Sequence, residues 1–209
     1  GASGTGKSSL VRGGLVPRLR ESSPTLLVDV RPGRSPFATL SAAVRSAGSG
    51  SRPSWTPTRA GPSVEDAASA AAMAADPLLL GRTLRALSSR SGRSVVLFVD
   101  QLEELLTVSP EETRTPYLRS ILLAADDASD ATRVVVTLRD DFLGRVAADA
   151  SAPVARVLSR PTVVKAPGPA ELRRILEAPI EARGYRWAES AMVDELVAQT
   201  SDLAAGLPL

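Results

Sequence analysis

Cysteine and histidine are both absent. Their absence excludes a disulfide framework, a zinc site built on the usual nitrogen and sulfur ligands, and any Ser-His or Cys-His nucleophile pair, and much of hydrolase chemistry goes with them. No apolar run approaches the roughly 20 residues that span a bilayer, and no basic-then-apolar leader opens the chain, so a soluble, cytoplasmic polypeptide without a membrane partner is expected. Lysine is nearly missing, with Lys7 and Lys165 set against 23 arginines. The formal charge is only +2. The pI of 9.5 reflects the lack of groups titrating between the carboxylates and the strong bases. It does not point to nucleic acid. What remains is a chain of 209 residues, 44% apolar and 23% charged, enough to bury the core of one large domain, or of one domain and part of another.

One of the two lysines closes a motif. Gly1-Ala2-Ser3-Gly4-Thr5-Gly6-Lys7-Ser8 fits the G-x-x-x-x-G-K-[ST] pattern of a phosphate-binding loop. Its glycines allow positive φ and turn backbone N–H groups inward as an anion nest, at the positive end of the helix that follows. Lys7 is expected to reach the β- and γ-phosphates and Ser8 to bind Mg²⁺. Gly1, Ser3, Gly4, Thr5, Gly6, Lys7, Ser8 and Ser9 are thus the expected phosphate contacts. Leu10, Val11, Leu15 and Val16 begin a helical apolar pattern at once, as a loop-to-helix unit requires. Such a loop normally leaves the end of a buried strand. Neither that strand nor an initiator Met precedes Gly1, so the sequence is expected to be cut from a longer protein.

Strand and helix signals alternate along the rest. Thr25–Val30 reads as a strand, a turn cluster follows at 31–36, and Phe37–Ala47 reads as a helix. Residues 48–63 are rich in Gly, Ser and Pro and read as a loop or insertion. Val64–Ala75 is helical, and Asp76-Pro77 starts another helix. Ser94–Asp100 is an apolar run closed by an acid, the mark of a strand buried on both faces. Ser109-Pro110-Glu111-Glu112 offers a capping box, and Thr115-Pro116 a further helix start. Arg133–Arg139 repeats the buried-strand pattern, Thr162–Val164 suggests a last strand, and after Gly168-Pro169 the chain reads as helical. The expected class is α/β, a parallel sheet with flanking helices and right-handed crossovers over 1–166, followed by the start of a helical subdomain over 167–209.

A carboxylate at the C-terminal edge of a strand beside a phosphate loop can hold Mg²⁺ directly or through water, which makes Asp100 the expected metal-side acid. Glu103 and Glu104 follow within one turn, and one of them can orient or deprotonate a water. Both also suit the acidic first turn of a helix. The position directly after the aspartate, often a glutamate in P-loop ATPases, is Gln101. Arg139 ends the next strand, where a guanidinium can sense a γ-phosphate or simply pair with Asp140 or Asp141. Arg12, Arg18, Arg20, Arg31 and Arg34 form a basic stretch without interleaved aromatics and read as a solvated face.

These motifs together resemble the STAND class of P-loop NTPases, in particular the bacterial "novel STAND NTPase" domain often found beside WD-repeat propellers. The residues that carry the resemblance are GASGTGKSSLVRGGLVPRL, RPGRSPF, VVLFVDQLEELLT, VVVTLRDDFL and the final GLPL. It covers nearly the whole chain. It implies a P-loop NTPase fold of the ASCE/AAA+-like type, with residues 1–8 as its Walker A element and Asp100 in its Walker B element. Glu103 and Glu104 then resemble part of an extended acidic motif, Arg139 a sensor-one arginine, and Gly206-Leu207-Pro208 the GxP element, whose Pro208 packs near the nucleotide. If the sheet has the order 5-1-4-3-2 of such proteins, the first strand is missing. A slot between the Arg139 strand and the Thr162–Val164 strand then stands empty, and the isolated polypeptide is expected to fold poorly.

The function these features imply is the nucleotide-binding core of a signal-transducing ATPase. It would bind ATP with Mg²⁺, hydrolyse it slowly to ADP, and use the two nucleotide states as a switch for self-association and for fused effector or repeat domains. Two alternatives stand beside it. One is a non-hydrolysing nucleotide-binding scaffold, suggested by Gln101. The other is an AAA+-type ATPase acting on DNA or transcription, against which stand the near-neutral charge and the lack of a DNA-reading motif.

Overall fold

The computed structural model describes residues 1–49, 64–125, 131–148 and 161–201. The expected loop at 48–63 and the Gly206-Leu207-Pro208 element therefore lie wholly or largely outside the described residues. The chain divides into two compact units, one of Leu10–Pro161 and one of Gly1–Ser9 with Thr162–Leu209.

The larger unit is built on three parallel strands, β1 (Thr25–Val30), β2 (Ser94–Val99) and β3 (Thr132–Val136), in the order β1-β2-β3. Register pairs Val30 with Val99 and Val99 with Val136, so the three C-terminal ends lie flush. This order matches that of the second, third and fourth strands in the expected 5-1-4-3-2 arrangement. β3 stops at Val136, short of the expected Arg139: Thr137 still donates its amide to the Val99 carbonyl, but the Arg139 amide goes to the Glu103 carboxylate and not to a strand. Among the described residues Thr162–Val164 forms no strand, contrary to expectation: its backbone joins no ladder.

Period-two alternation sends the strands' side chains to opposite faces. Val28, Val30, Val95, Leu97 and Val99 enter one core, with Val134 and Val136 packed against it. That core is covered by α3 (Pro36–Gly48), α4 (Val64–Ala75), α5 (Leu79–Ser91) and α7 (Glu111–Ala124), whose Leu40, Met73, Leu84 and Ile121 are buried. Phe98 faces the other way and meets Val11 and Val16, with Leu27 and Val135 beside them. Those two valines belong to the helical stretch after the first loop. It begins as a short α1 (Lys7–Ser9), widens to a π-helical segment at Leu10–Leu15, and returns to α-helix in α2 (Val16–Ser22). Helices on both faces explain why β2 reads as an unbroken apolar run.

Caps follow sequence chemistry in part. The Leu78 amide donates to Asp76 Oδ1 at 2.9 Å ahead of α5, and Gly92 ends that helix at a left-handed φ of 63°. The capping box at Ser109 does not form. Pro110 takes the N-cap position, and the Ser109 hydroxyl instead donates to the Gly33 carbonyl at 2.6 Å. Pro116 lies inside α7 and starts no new helix. Ahead of α7, α6 is a single turn, Glu104–Thr107. After β3 come a 3₁₀ turn at Asp140–Phe142 and α8 (Leu143–Ala148).

In the smaller unit, α9 (Pro169–Glu181) and α10 (Ser190–Ser201) pack through Leu172, Val193 and Val197. Glu171 Oε2 accepts from the Gly168 amide at 2.7 Å, closing the start of α9.

Candidate functional site

The first eight residues form the loop that their composition calls for. Gly4 and Gly6 take φ values of 73° and 81°, a region open to glycine and costly for other residues. Thr5, nearly buried, ties the loop to itself by donating from Oγ1 to the Ala2 carbonyl at 3.0 Å. The Lys7 ammonium curls back and donates to the carbonyls of Gly1, at 2.7 Å, and Ala2. A Cβ on Gly1 would stand 2.0 Å from the Val164 carbonyl oxygen, so only glycine fits there. Val164 thus backs the start of the loop although it lies in no strand.

In the larger unit the flush strand ends gather a second set of groups. Asp100 continues β2 by one residue, its amide donating to the Val30 carbonyl at 2.8 Å, and Thr137 continues β3 likewise, its amide donating to the Val99 carbonyl at 3.0 Å. Parity then fixes direction. Asp29, Asp100 and Thr137 lie two residues beyond Leu27, Phe98 and Val135, and so share their face of the sheet. Asp100 is only 3% exposed. A buried carboxylate without partners is costly, and this one is well supplied. Thr137 Oγ1 donates to its Oδ1 at 2.6 Å, and Arg12 Nη2 lies 3.0 Å from its Oδ2.

Arg12 is held on three sides. Its Nε and Nη2 donate to the two oxygens of Asp29 at 2.8 and 3.0 Å, and its guanidinium stands 5.1 Å from the centre of the Phe98 ring. The hydrogen bond to Asp29 first, and then the charges of Asp29 and Asp100, raise its pKa against the opposing effect of partial burial. Arg12 is exposed, as a solvated face expects, with its side chain 41% accessible; what the sequence did not show is that it is paired at the strand ends. Its signal was the spacing that carries Val11 and Val16 onto the sheet, since a residue beside Val11 comes down at the same strand ends.

Beyond Asp100 the chain turns sharply. Gln101 has φ of 54°, in the left-handed region, and its amide donates to Thr137 Oγ1 at 2.9 Å. The Leu102 amide donates to the Thr137 carbonyl at 2.9 Å, and the Leu102 side chain is buried in the core. This turn separates the two glutamates. Glu104 accepts from the Gly33 amide at 3.2 Å through Oε2 and pairs with Arg31 Nε at 3.1 Å through Oε1. It clamps the Arg31-Pro32-Gly33 turn after β1, while Arg31 keeps the exposed position expected of it. Glu103 accepts from the Arg139 amide at 3.3 Å and stays at the strand ends.

Arg139 lies three residues past the end of β3, and its guanidinium makes a bidentate pair with Asp141 at 3.0 and 2.8 Å while lying 5.3 Å from the centre of the Phe142 ring. The hydrogen bond to Asp141 is the largest cause of its raised pKa. The backbone of Arg139 joins the site through Glu103; its side chain is turned to a local partner. Thr137, Arg12 and Asp29 were missed in the sequence, and of the three only Thr137 had a plain signal, a lone polar residue in an apolar strand.

Asp100 offers oxygen, the donor a hard cation takes, and the described residues contain no cluster of three or more metal-binding side chains. That chemistry fits Mg²⁺ completed by phosphate oxygens and water, and does not make an all-protein cage. Among the described residues no helix is long and apolar enough to cross a membrane. Comparison with curated proteins gives no match. A family model described as Novel STAND NTPase 1 matches residues 1–209. The chain therefore belongs to the novel STAND NTPases, a family of nucleotide-binding NTPase domains.

Proposed function

We propose that this chain is the ATP-binding core of a slow, regulatory ATPase. The observation that carries the reading is the glycine-hinged loop at Gly1–Ser8, with Gly4 and Gly6 in left-handed conformations. Its backbone N–H groups and the Lys7 ammonium bind the nucleotide's phosphates, and Ser8 and Asp100 supply oxygen to the Mg²⁺ that accompanies them. Mg²⁺ contributes charge neutralisation on the phosphate oxygens.

The hydrolytic step assigns one role to each remaining group. Glu103, held at the strand ends by the Arg139 amide, orients a water and takes its proton. The water oxygen bonds to the γ-phosphorus as the bond from phosphorus to the bridging oxygen breaks, and ADP leaves with that electron pair. Arg139 meets the γ-phosphate once its guanidinium is released from Asp141. That exchange of partners makes hydrolysis slow and dependent on nucleotide state. A switch between ATP and ADP forms would act on self-association and on attached effector or repeat domains, through different affinities for the two states.

A specific observation favours a second reading, in which nucleotide is bound without turnover. Gln101 follows Asp100, Glu104 is committed to the Arg31–Gly33 turn, and the Arg139 side chain is paired with Asp141. Single-turnover assays decide. Lys7→Ala should abolish ATP binding, and retained binding would discard both readings. Glu103→Gln should bind ATP normally and lose hydrolysis by at least about 100-fold, as removal of a general base does. No hydrolysis by the unmodified protein would select the scaffold.

A further inference from the structure

The larger unit holds a feature that neither phosphate binding nor water activation uses, a cation already seated at Asp100. The three charged side chains are Arg12, Asp29 and Asp100, two carboxylates against one guanidinium. Asp29 takes the bidentate contact with Arg12, at 2.8 and 3.0 Å, and Asp100 a single contact at 3.0 Å. Asp29 opposes Phe98 in the strand register, and the Phe98 ring lies under the guanidinium. Arg12 is thus anchored by Asp29 and Phe98 and lends one N–H to Asp100.

We propose that Arg12 is the resident counter-ion of Asp100, and that the Arg12–Asp29 pair sets how strongly Asp100 draws a divalent cation. The inference rests on the reading of Asp100 as the Mg²⁺-side acid. Its logic is charge and burial. With no metal present, Asp100 at 3% exposure needs a compensating positive group, and Arg12 supplies it. When a divalent ion arrives, the same guanidinium is a competitor. Asp29 moderates that competition by holding two of the guanidinium's N–H groups, from Nε and Nη2, on itself. The triad carries net charge −1 as built. Removing Arg12 leaves −2, and neutralising Asp29 leaves 0 with Arg12 free to pair fully with Asp100.

Opposite signs follow for the two variants, which a merely structural role would not produce. Mn²⁺ stands in for Mg²⁺, and its binding is counted from the loss of the free-ion electron paramagnetic resonance signal in the presence of saturating ADP. Arg12→Gln should lower the half-saturating Mn²⁺ concentration and Asp29→Asn should raise it, each by at least about tenfold, since a unit charge beside a divalent ion has that effect even at a water-like dielectric. Arg12→Lys, which keeps the charge, should stay within about threefold of the unmodified protein. A second readout is thermal unfolding. Arg12→Gln should melt well below the unmodified protein without metal and recover most of the loss when Mn²⁺ and ADP are added.

If Arg12→Gln and Asp29→Asn weaken Mn²⁺ binding alike, or leave it unchanged, the inference is overturned while the nucleotide reading stands. If the unmodified protein binds no Mn²⁺ with ADP, both fall. Should Arg12→Gln fail to fold even with metal, Asp29→Asn against Arg12→Lys still decides, because equal Mn²⁺ affinities for those two would overturn the inference.

Discussion

Replacing Thr137 with valine isolates the hydroxyl on which the strand ends converge. Valine keeps the volume and branching of threonine, so packing against the sheet is preserved and only Oγ1 is lost. That atom does two things: it donates to Asp100 Oδ1 at 2.6 Å and accepts from the Gln101 amide at 2.9 Å. A hydrogen bond to a charged partner contributes about 1.5–3 kcal/mol, and a buried amide left without an acceptor costs about 1–3 kcal/mol. The two losses share one atom and are not additive, and Asp100 keeps its contact with Arg12, so a total of about 2–4 kcal/mol is expected. For a chain of this size each kcal/mol lowers the melting temperature by about 2–4 °C, which predicts a fall of roughly 5–15 °C. Thr137→Ser provides the control, since it restores the hydroxyl and gives up one methyl group at about 1 kcal/mol. Calorimetry or denaturant unfolding should rank the unmodified protein first, serine second and valine last. If valine proves more stable than serine, the hydroxyl is not the tie that the distances indicate.

Two further perturbations separate neighbouring roles. Glu104→Ala removes the acceptor of the Gly33 amide and the partner of Arg31; it should cost about 1 kcal/mol, speed hydrogen exchange at Gly33, and leave single-turnover hydrolysis close to normal, whereas loss of hydrolysis would move the base from Glu103 to Glu104. Tyr117 is fully buried, its hydroxyl has no partner among the described residues, and burial pushes its pKa well above the ordinary value. A raised folded-state pKa for an acid means stability that is present below the unfolded value near 10 and is lost as pH rises beyond it. Tyr117 should therefore ionise together with alkaline unfolding, seen by tyrosinate absorbance and circular dichroism in one titration, and Tyr117→Phe should remove that pH dependence while stabilising the protein at neutral pH by about 1 kcal/mol.

The sequence was most readable where one local signal decided the outcome. β1 and β2 were plain because continuous apolar runs ended in turns or an acid. α3 was plain from its periodic apolar residues and α4 from its run of alanines. The phosphate loop was legible because only glycine tolerates the φ values at Gly4 and Gly6. Where two partners compete for one group, local reading failed. Ser109 has every mark of a helix cap, yet its hydroxyl goes to the carbonyl of Gly33, 76 residues away. Glu103 and Glu104 are indistinguishable in sequence, and what separates them is the left-handed turn at Gln101, a conformation no residue type there announces. Arg12 read as one of several surface arginines because its partners, Asp29 and Asp100, lie on strands that the chain reaches only later. Thr162–Val164 has strand composition but finds no ladder among the described residues.

Strand parity explains why so much of the candidate site depends on so few positions. In β2 the side chains of Val95, Leu97 and Val99 go to the core beneath α3, α5 and α7, and Phe98 goes to the face covered by Val11 and Val16. Asp100 inherits the Phe98 direction because its amide still pairs with the Val30 carbonyl, so the alternation runs one residue past the strand. Asp29 and Thr137 inherit it from Leu27 and Val135. Had the acid stood one position earlier, at Val99, its carboxylate would have pointed into an apolar core, where ionisation is penalised and no guanidinium waits. The buried valines that give β2 its apolar run are therefore also what aims Asp100, and stability and chemistry at this edge are set by one alternation, not by two independent features.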